Sequence, residues 1–390
     1  MTDFYGATSS NPANPEALGG YTNYYADSGN AFMWGSTTGN QDFFGGAGNS
    51  VMMTSGGTYT GNGTLSNPDE YVISSFVPST GNDVFFGGTG NDAIYAAYGN
   101  DTVFGGTGNL SGAMQGLDGI YFEAGIFGGN GNDFFYAGSG NDSIWAGNGN
   151  DVFYAGSGSD LIVGGNGNDV FYGGSGQSTM YGGTGNDIYI GGSGLSYEVG
   201  ATPPGGLGPG SVNYFYLSSA TGSEAYGAEG GTNVFVAGTN GSVMIGRGGG
   251  NDFMYAEGGN NYFYGGDNEG GTSEFFGGSG VDVMIGDSYG NSNYFDGGTG
   301  VNYYFGGSLG ITTNTFNVSL GGGDVIQDWL EGNHDVVQLN GTGWSSFSDI
   351  LAHSYQNGAY FVVQVNPETA VWLNGATASS INANDFKIAS

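Results

Sequence analysis

Between residues 128 and 190 polar and apolar positions follow a fixed short rhythm. Each unit of nine begins with small and polar residues and ends on three mostly apolar ones, as in Gly167-Asn168-Asp169-Val170-Phe171-Tyr172. A glycine-rich polar stretch running into β-branched and aromatic residues predicts a tight turn feeding a short strand. Strand alternation then sends the penultimate residue of each unit to one side and its two neighbours to the other.

The rhythm is a strict repeat, and repetition at a fixed period predicts a solenoid. Seven consecutive nonapeptides start at Gly128, Ala137, Ala146, Ala155, Gly164, Gly173 and Gly182, reading G/A-G-x-G-N-D before the three strand residues. The sixth position holds Asp133, Asp142, Asp151, Asp160, Asp169, Ser178 and Asp187. A second run over 78–108 puts Asp83, Asp92 and Asp101 in the same place, which makes nine Asp in ten slots. Ordinary solvated turn formers do not explain that recurrence. Beyond Asn213 the period persists while the sixth position becomes Asn233, Ser242, Asp252, Asn261, Asp282, Asn293 and Asn302. Asparagine keeps a turn-forming amide that stacks in ladders without charge, so this half is expected to hold few ions. A weaker copy at the start carries Ser50 at the key position.

These units resemble the RTX consensus G-G-x-G-x-D-x-U-x, seen in Gly164-Gly165-Asn166-Gly167-Asn168-Asp169-Val170-Phe171-Tyr172. The resemblance implies an all-β chain: a right-handed parallel β-roll, two nonapeptides per coil, with calcium held between turns by Asp carboxylates and backbone carbonyls. Residues eighteen apart then share a column, Asp133 with Asp151, Asp169 and Asp187, and Asp142 with Asp160. The residues expected to hold calcium are Asp83, Asp92, Asp101, Asp133, Asp142, Asp151, Asp160, Asp169 and Asp187, with Asp252 and Asp282 in the decayed half. Physics points the same way. Turns stacked at roughly 4.8 Å bring successive carboxylates close, and two unit charges about 5 Å apart repel by about 3 kcal/mol at an effective dielectric of 20.

Composition sharpens this. Glycine supplies 86 of 390 residues, yet aromatics reach 15%, enough buried area to argue against a disordered chain. Thirty-five carboxylates face two bases, Arg247 and Lys387, for a net charge of -33. That excludes a nucleic-acid surface, disfavours docking on anionic lipid and suits a hard divalent cation with oxygen ligands. There is no cysteine, hence no thiolate metal site. The first 25 residues lack a Sec-type signal peptide, and no stretch reaches the roughly 20 apolar residues of a membrane span.

The organisation expected is a degenerate repeat region over 1–77, a calcium-binding roll over 78–194 with an insertion at 109–127, and a Pro/Gly-rich loop over 195–213. A degenerate Asn-rich solenoid over 214–310 and a terminal domain over 311–390 follow. In the last, Ser346 and Asp349 offer a capping box to a short helix with Phe347, Ile350 and Leu351 on one face. Strands Tyr360–Val365 and Ala370–Leu373 and the ending Asp385-Phe386-Lys387-Ile388 are similar to the C-terminal region of RTX proteins exported by type I secretion. That resemblance implies an uncleaved export signal, the type I machinery as partner, and an extracellular or bacterial cell-surface location.

Catalysis is not expected. The only histidines are His334 and His353, too few for a zinc protease. Gly286-Asp287-Ser288-Tyr289-Gly290 fits a nucleophile elbow by pattern, but Ser288 lacks the helix and positioned His that an elbow needs. The outward residues Phe134, Tyr136, Val152, Tyr154, Val170, Tyr172, Ile188 and Ile190, with Ser143, Trp145, Leu161, Val163, Thr179 and Tyr181 opposite, form faces that call for a cover. Either the second limb folds back or another copy docks there. The function these features favour is a secreted calcium-binding structural protein that assembles with itself. A ligand-binding solenoid, adhesive or ice-binding, is the alternative. For ice binding the third position supplies Thr89, Thr107 and Thr184, with Ser139, Asn148, Ser157, Asn166 and Ser175 breaking the row. A hydrolase ranks last.

Overall fold

Two nonapeptides close one coil, so strands eighteen residues apart pair in parallel and each coil adds one strand to each of two sheets. The computed structural model describes residues 121–200 throughout, 211–389 with short gaps, and short segments between 3 and 115. The described residues form two compact units, Met1–Leu195 and Ser196–Ser390.

In the first unit one sheet stacks Asp42–Phe44, Val84–Phe86, Thr102–Phe104, Phe134–Tyr136, Val152–Tyr154, Val170–Tyr172 and Ile188–Ile190 in register. The other stacks Ser50–Met53, Ala93–Tyr95, Ile126–Asn130, Ser143–Asn148, Ser159–Asn166 and Gln177–Thr184. The penultimate residue of each unit points inward, as the alternation predicts. Phe85, Phe135, Phe153, Phe171 and Tyr189 form one core row and Ile94, Ile126, Ile144, Ile162 and Met180 the other, all fully buried. Burying each such side chain contributes about 1.5–3 kcal/mol. The rings of the first row stack, Phe135 on Phe153 at 5.1 Å and Phe153 on Phe171 at 4.7 Å. Within the insertion an antiparallel hairpin, Gly112–Gln115 against Tyr121–Ala124, leaves the stack intact: Thr102–Phe104 still pairs with Phe134–Tyr136.

The second unit keeps the parallel pairing with longer coils, residues 19, 21 and 22 apart meeting across them. Ser196–Val199 is already a strand, paired with Ser223–Glu229. Parallel stacking continues through Thr313–Val318 and Gly323–Ile326 to Val336–Asn340, which Phe386–Ala389 joins in parallel. Tyr360–Asn366 and Thr369–Asn374 pair antiparallel. The helix Phe347–Ala352 is closed by the Ser346/Asp349 capping box. It buries Ile350 and sets Phe347 against Phe386 at 5.9 Å, but Leu351, expected on the same face, is 41% exposed. Among the described residues no helix is long and apolar enough to cross a membrane.

Candidate metal centre

The turns place Asp83, Asp101, Asp133, Asp151, Asp169 and Asp187 in one column. Each Asp passes its backbone N–H to the next carboxylate: Asp83 to Asp101 Oδ1 at 2.7 Å, Asp101 to Asp133 at 2.7 Å, Asp133 to Asp151 and Asp151 to Asp169 at 2.8 Å, Asp169 to Asp187 at 3.0 Å. Asp142 and Asp160 form the second column with the same link at 3.0 Å. Asp92 lies outside the described residues, as does Ser288. The sequence reading passed over Gln41, whose N–H bonds Asp83 Oδ1 at 2.7 Å and which extends the first column before Asp83; the signal was Asn40-Gln41-Asp42-Phe43-Phe44, the usual frame with Gln in place of Asp.

One oxygen of each of Asp101, Asp133, Asp151, Asp160 and Asp169 is thereby satisfied and aimed. The other is not: Oδ2 of Asp101, Asp133, Asp151, Asp160 and Asp169 is buried without a hydrogen-bond partner, on residues no more than 4% exposed. A buried unpaired acceptor is costly and calls for an explanation. Burial drives these carboxyls far above the ordinary range, Asp101 to about 9, Asp151 to about 8, Asp160, Asp169 and Asp187 to about 7, and Asp133 to about 6. Repulsion between column neighbours adds to the shift at Asp101, Asp151, Asp160 and Asp169.

The donor set fits calcium, a hard ion that takes carboxylate and carbonyl oxygens. Oxygens converge beside the turn glycines: a Cβ placed on Gly128 would lie 2.7 Å from both Asp133 Oδ2 and the carbonyl oxygen of Ala146 in the next coil. The turns reach this shape through residues such as Gly147 and Gly149, at φ 110° and 148°, which side chains rarely adopt. Among the described residues no three His, Cys, Asp or Glu side chains cluster as a metal site, so backbone carbonyls would supply much of any shell here.

The second unit links its coils differently. Asn233 Nδ2 donates to Asp252 Oδ1 at 2.8 Å, Asn261 Nδ2 to Asp282 Oδ1 at 2.8 Å, Asn293 Nδ2 to Asn314 Oδ1 at 2.9 Å and Asn314 Nδ2 to Asp335 Oδ1 at 2.7 Å. An amide donor stands where paired carboxylates would need a cation. The Asn261 amide also reaches the Gly258 carbonyl at 3.1 Å. Asn261→Ala is therefore expected to cost the second unit about 1–3 kcal/mol, read as a lower melting temperature in chelator.

Outward side chains form ladders along the first unit. Tyr25, Phe44, Phe86, Phe104, Tyr136, Tyr154 and Tyr172 stack ring on ring at 4.6–4.9 Å. Their faces engage one another and their edges look outward, and Phe134 and Tyr154 remain 44% and 37% exposed. The third position resolves into two uniform rows rather than one broken row. Thr89, Thr107, Ser139, Ser157, Ser175 and Ser193 line one turn, all exposed, each of the last five donating its N–H to a glycine carbonyl one coil back. Asn130, Asn148, Asn166 and Thr184 line the other, joined side chain to side chain at 2.5–2.7 Å.

A family model described as the RTX calcium-binding nonapeptide repeat matches four stretches, 79–109, 127–162, 163–195 and 248–269. No curated protein matches the chain. Among solved structures the chain is similar to the extracellular lipase LipA from Serratia marcescens, at 17% identity over 64% of this chain and 45% of that one, with a TM-score of 0.26. The chain thus spans less than half of that lipase, and so low a TM-score carries no argument.

Proposed function

Because the chain carries RTX calcium-binding nonapeptide repeats, we propose that it is a secreted structural protein that folds outside the cell on calcium and assembles with its own copies into a filament, surface layer or matrix. The observation that carries this is the column of buried Asp in which Oδ2 of Asp101, Asp133, Asp151 and Asp169 has no donor. Asp83, Asp92, Asp101, Asp133, Asp142, Asp151, Asp160, Asp169 and Asp187 hold the ions in the roll over 78–194. Where calcium is scarce the columns repel and the chain stays open for export; where it is plentiful, binding free energy becomes folding free energy. The C-terminal 311–390 segment serves the type I machinery. No catalytic step is assigned.

Assembly rests on the stacked aromatic faces, which a neighbouring copy would cover. Gel filtration and negative-stain microscopy at millimolar calcium are expected to show ordered polymers that chelator disperses; a monodisperse monomer under the same conditions rules assembly out. The ligand-binding reading gains from the uniform hydroxyl and amide rows, regular arrays suited to a repeating polar surface such as ice. Thermal hysteresis in calcium tests it, and its absence removes it.

A further inference from the structure

The penultimate position of the repeat faces the core, and in the second unit its row runs through Ala225, Met244, Phe263, Met284, Tyr304 and Ile326, paired coil to coil and fully buried. The residue that opens this row is an acid. In the frame Gly191-Gly192-Ser193-Gly194-Leu195-Ser196-Tyr197-Glu198-Val199 the penultimate place belongs to Glu198, which pairs with Ala225 and is 0% exposed. Neither Oε1 nor Oε2 has a hydrogen-bond partner. Glu198 lies outside the sixth-position columns.

Among the described residues of the second unit nothing charged faces it. The strand paired with it, Ser223–Glu229, turns Ser223 and Ala225 inward; Glu224 and Tyr226 face out, joined hydroxyl to carboxylate at 3.0 Å, and Glu229 is exposed. Val212–Tyr216, whose Phe215 would lie 3.2 Å from a Cβ on Gly200, turns Asn213 and Phe215 inward and leaves Tyr214 and Tyr216 exposed. On the strand of Glu198 itself Tyr197 faces out, and Arg247 lies over the outward Tyr226 ring. Burial pushes the Glu198 carboxyl up to about 8, and the nearby Ser196 hydroxyl offsets only part of that. A buried carboxylate with no partner is far more costly than the neutral acid. Protonation removes the charge and supplies a donor, and Ser196 Oγ, itself buried with no partner, is the acceptor at hand.

We propose that Glu198 is a proton-operated latch on the first coil of the second unit: with its carboxyl neutral, Ser196–Val199 closes on Ser223–Glu229, and ionisation loosens that closure whatever the calcium concentration. The folded chain holds this proton more tightly than the unfolded one, where a glutamate titrates near about 4.3. Closure is therefore tightest below about pH 4 and is lost as the pH rises towards 8. The loosened strands open locally while the rest of the stack stays paired. The latch does not depend on the reading that the Asp columns take calcium.

Hydrogen exchange read by mass spectrometry tests it, on the full chain in millimolar calcium from about pH 5 to 8, with wild type and Glu198→Gln compared at each pH so that intrinsic exchange rates cancel. Opening of Ser196–Val199 and Ser223–Glu229 is expected to rise in wild type, relative to the variant, by up to about tenfold per pH unit; a constant ratio overturns the latch. Raising calcium further is expected to leave that slope unchanged. A slope that calcium abolishes overturns the latch as well, because an ion would then be neutralising the carboxylate. Should Glu198→Gln misfold, Glu198→Met, which matches Met244 and Met284 in the row, takes its place with the same expectation. Should both misfold, wild type decides: opening of Ser196–Val199 that does not grow with pH relative to Thr232–Ala237 overturns the proposal.

Discussion

In calcium-free buffer the first unit is expected to gain β-structure as the pH falls from 8 to 5, opposite to ordinary acid denaturation. Burial holds Asp101 at about 9, Asp151 at about 8, Asp160, Asp169 and Asp187 at about 7 and Asp133 at about 6 in the folded chain, against about 3.9 when unfolded. The folded state therefore binds more protons than the unfolded one between those values. Stability is full below about pH 4 and drains away as pH rises through 6 to 9, by up to about 1.4 kcal/mol per pH unit for each such carboxyl. Saturating calcium reverses the sign, because protons then compete with the ion for Oδ2. Far-UV circular dichroism across pH, with EGTA and with calcium, reads both slopes; a chelated protein that loses structure on acidification contradicts the account.

Phe153→Ala is expected to destabilise the calcium-loaded first unit by about 3–5 kcal/mol. Phe153 is fully buried, stacked at 5.1 Å on Phe135 and 4.7 Å on Phe171, and its loss leaves a cavity that two stiff sheets cannot close. Its neighbour Tyr154 lies in the outward ladder, 37% exposed and stacked at 4.7 Å on Tyr136 and on Tyr172, so Tyr154→Ala should cost only about 1–3 kcal/mol for the two lost ring pairs while weakening assembly. Denaturant unfolding in calcium separates the two. Equal costs would mean that the inward and outward rows are not distinguished as described.

The roll was legible because its two constraints are written in residue type. Only glycine accepts the φ of 110° at Gly147 and 148° at Gly149, and an acid fills nine of the ten sixth positions where a turn meets the next coil. The alternation of Phe134, Phe135 and Tyr136 likewise placed Phe135 inside. The Asp columns were placed by eighteen, but the third position was read by nine, and that hid its rows. Interleaving two turns made Ser139 and Asn148 look like defects in one row, although each belongs to a uniform row of its own. Gln41 escaped because an amide replaces the acid there. The bond from Asn302 Nδ2 to Asp324 Oδ1 escaped because coils in the second unit lengthen to 22 residues there, so position in sequence no longer announces position in a column. The unsatisfied Oδ2 atoms are a property of packing, and no sequence pattern reveals them.

The most direct measurement is a calcium titration of the metal-stripped full chain at neutral pH, following ellipticity and bound ions together. The account predicts that β-structure in the first unit appears only as several ions bind, and that EGTA abolishes it. Complete β-structure in excess EGTA, with no ion bound at millimolar calcium, would contradict it.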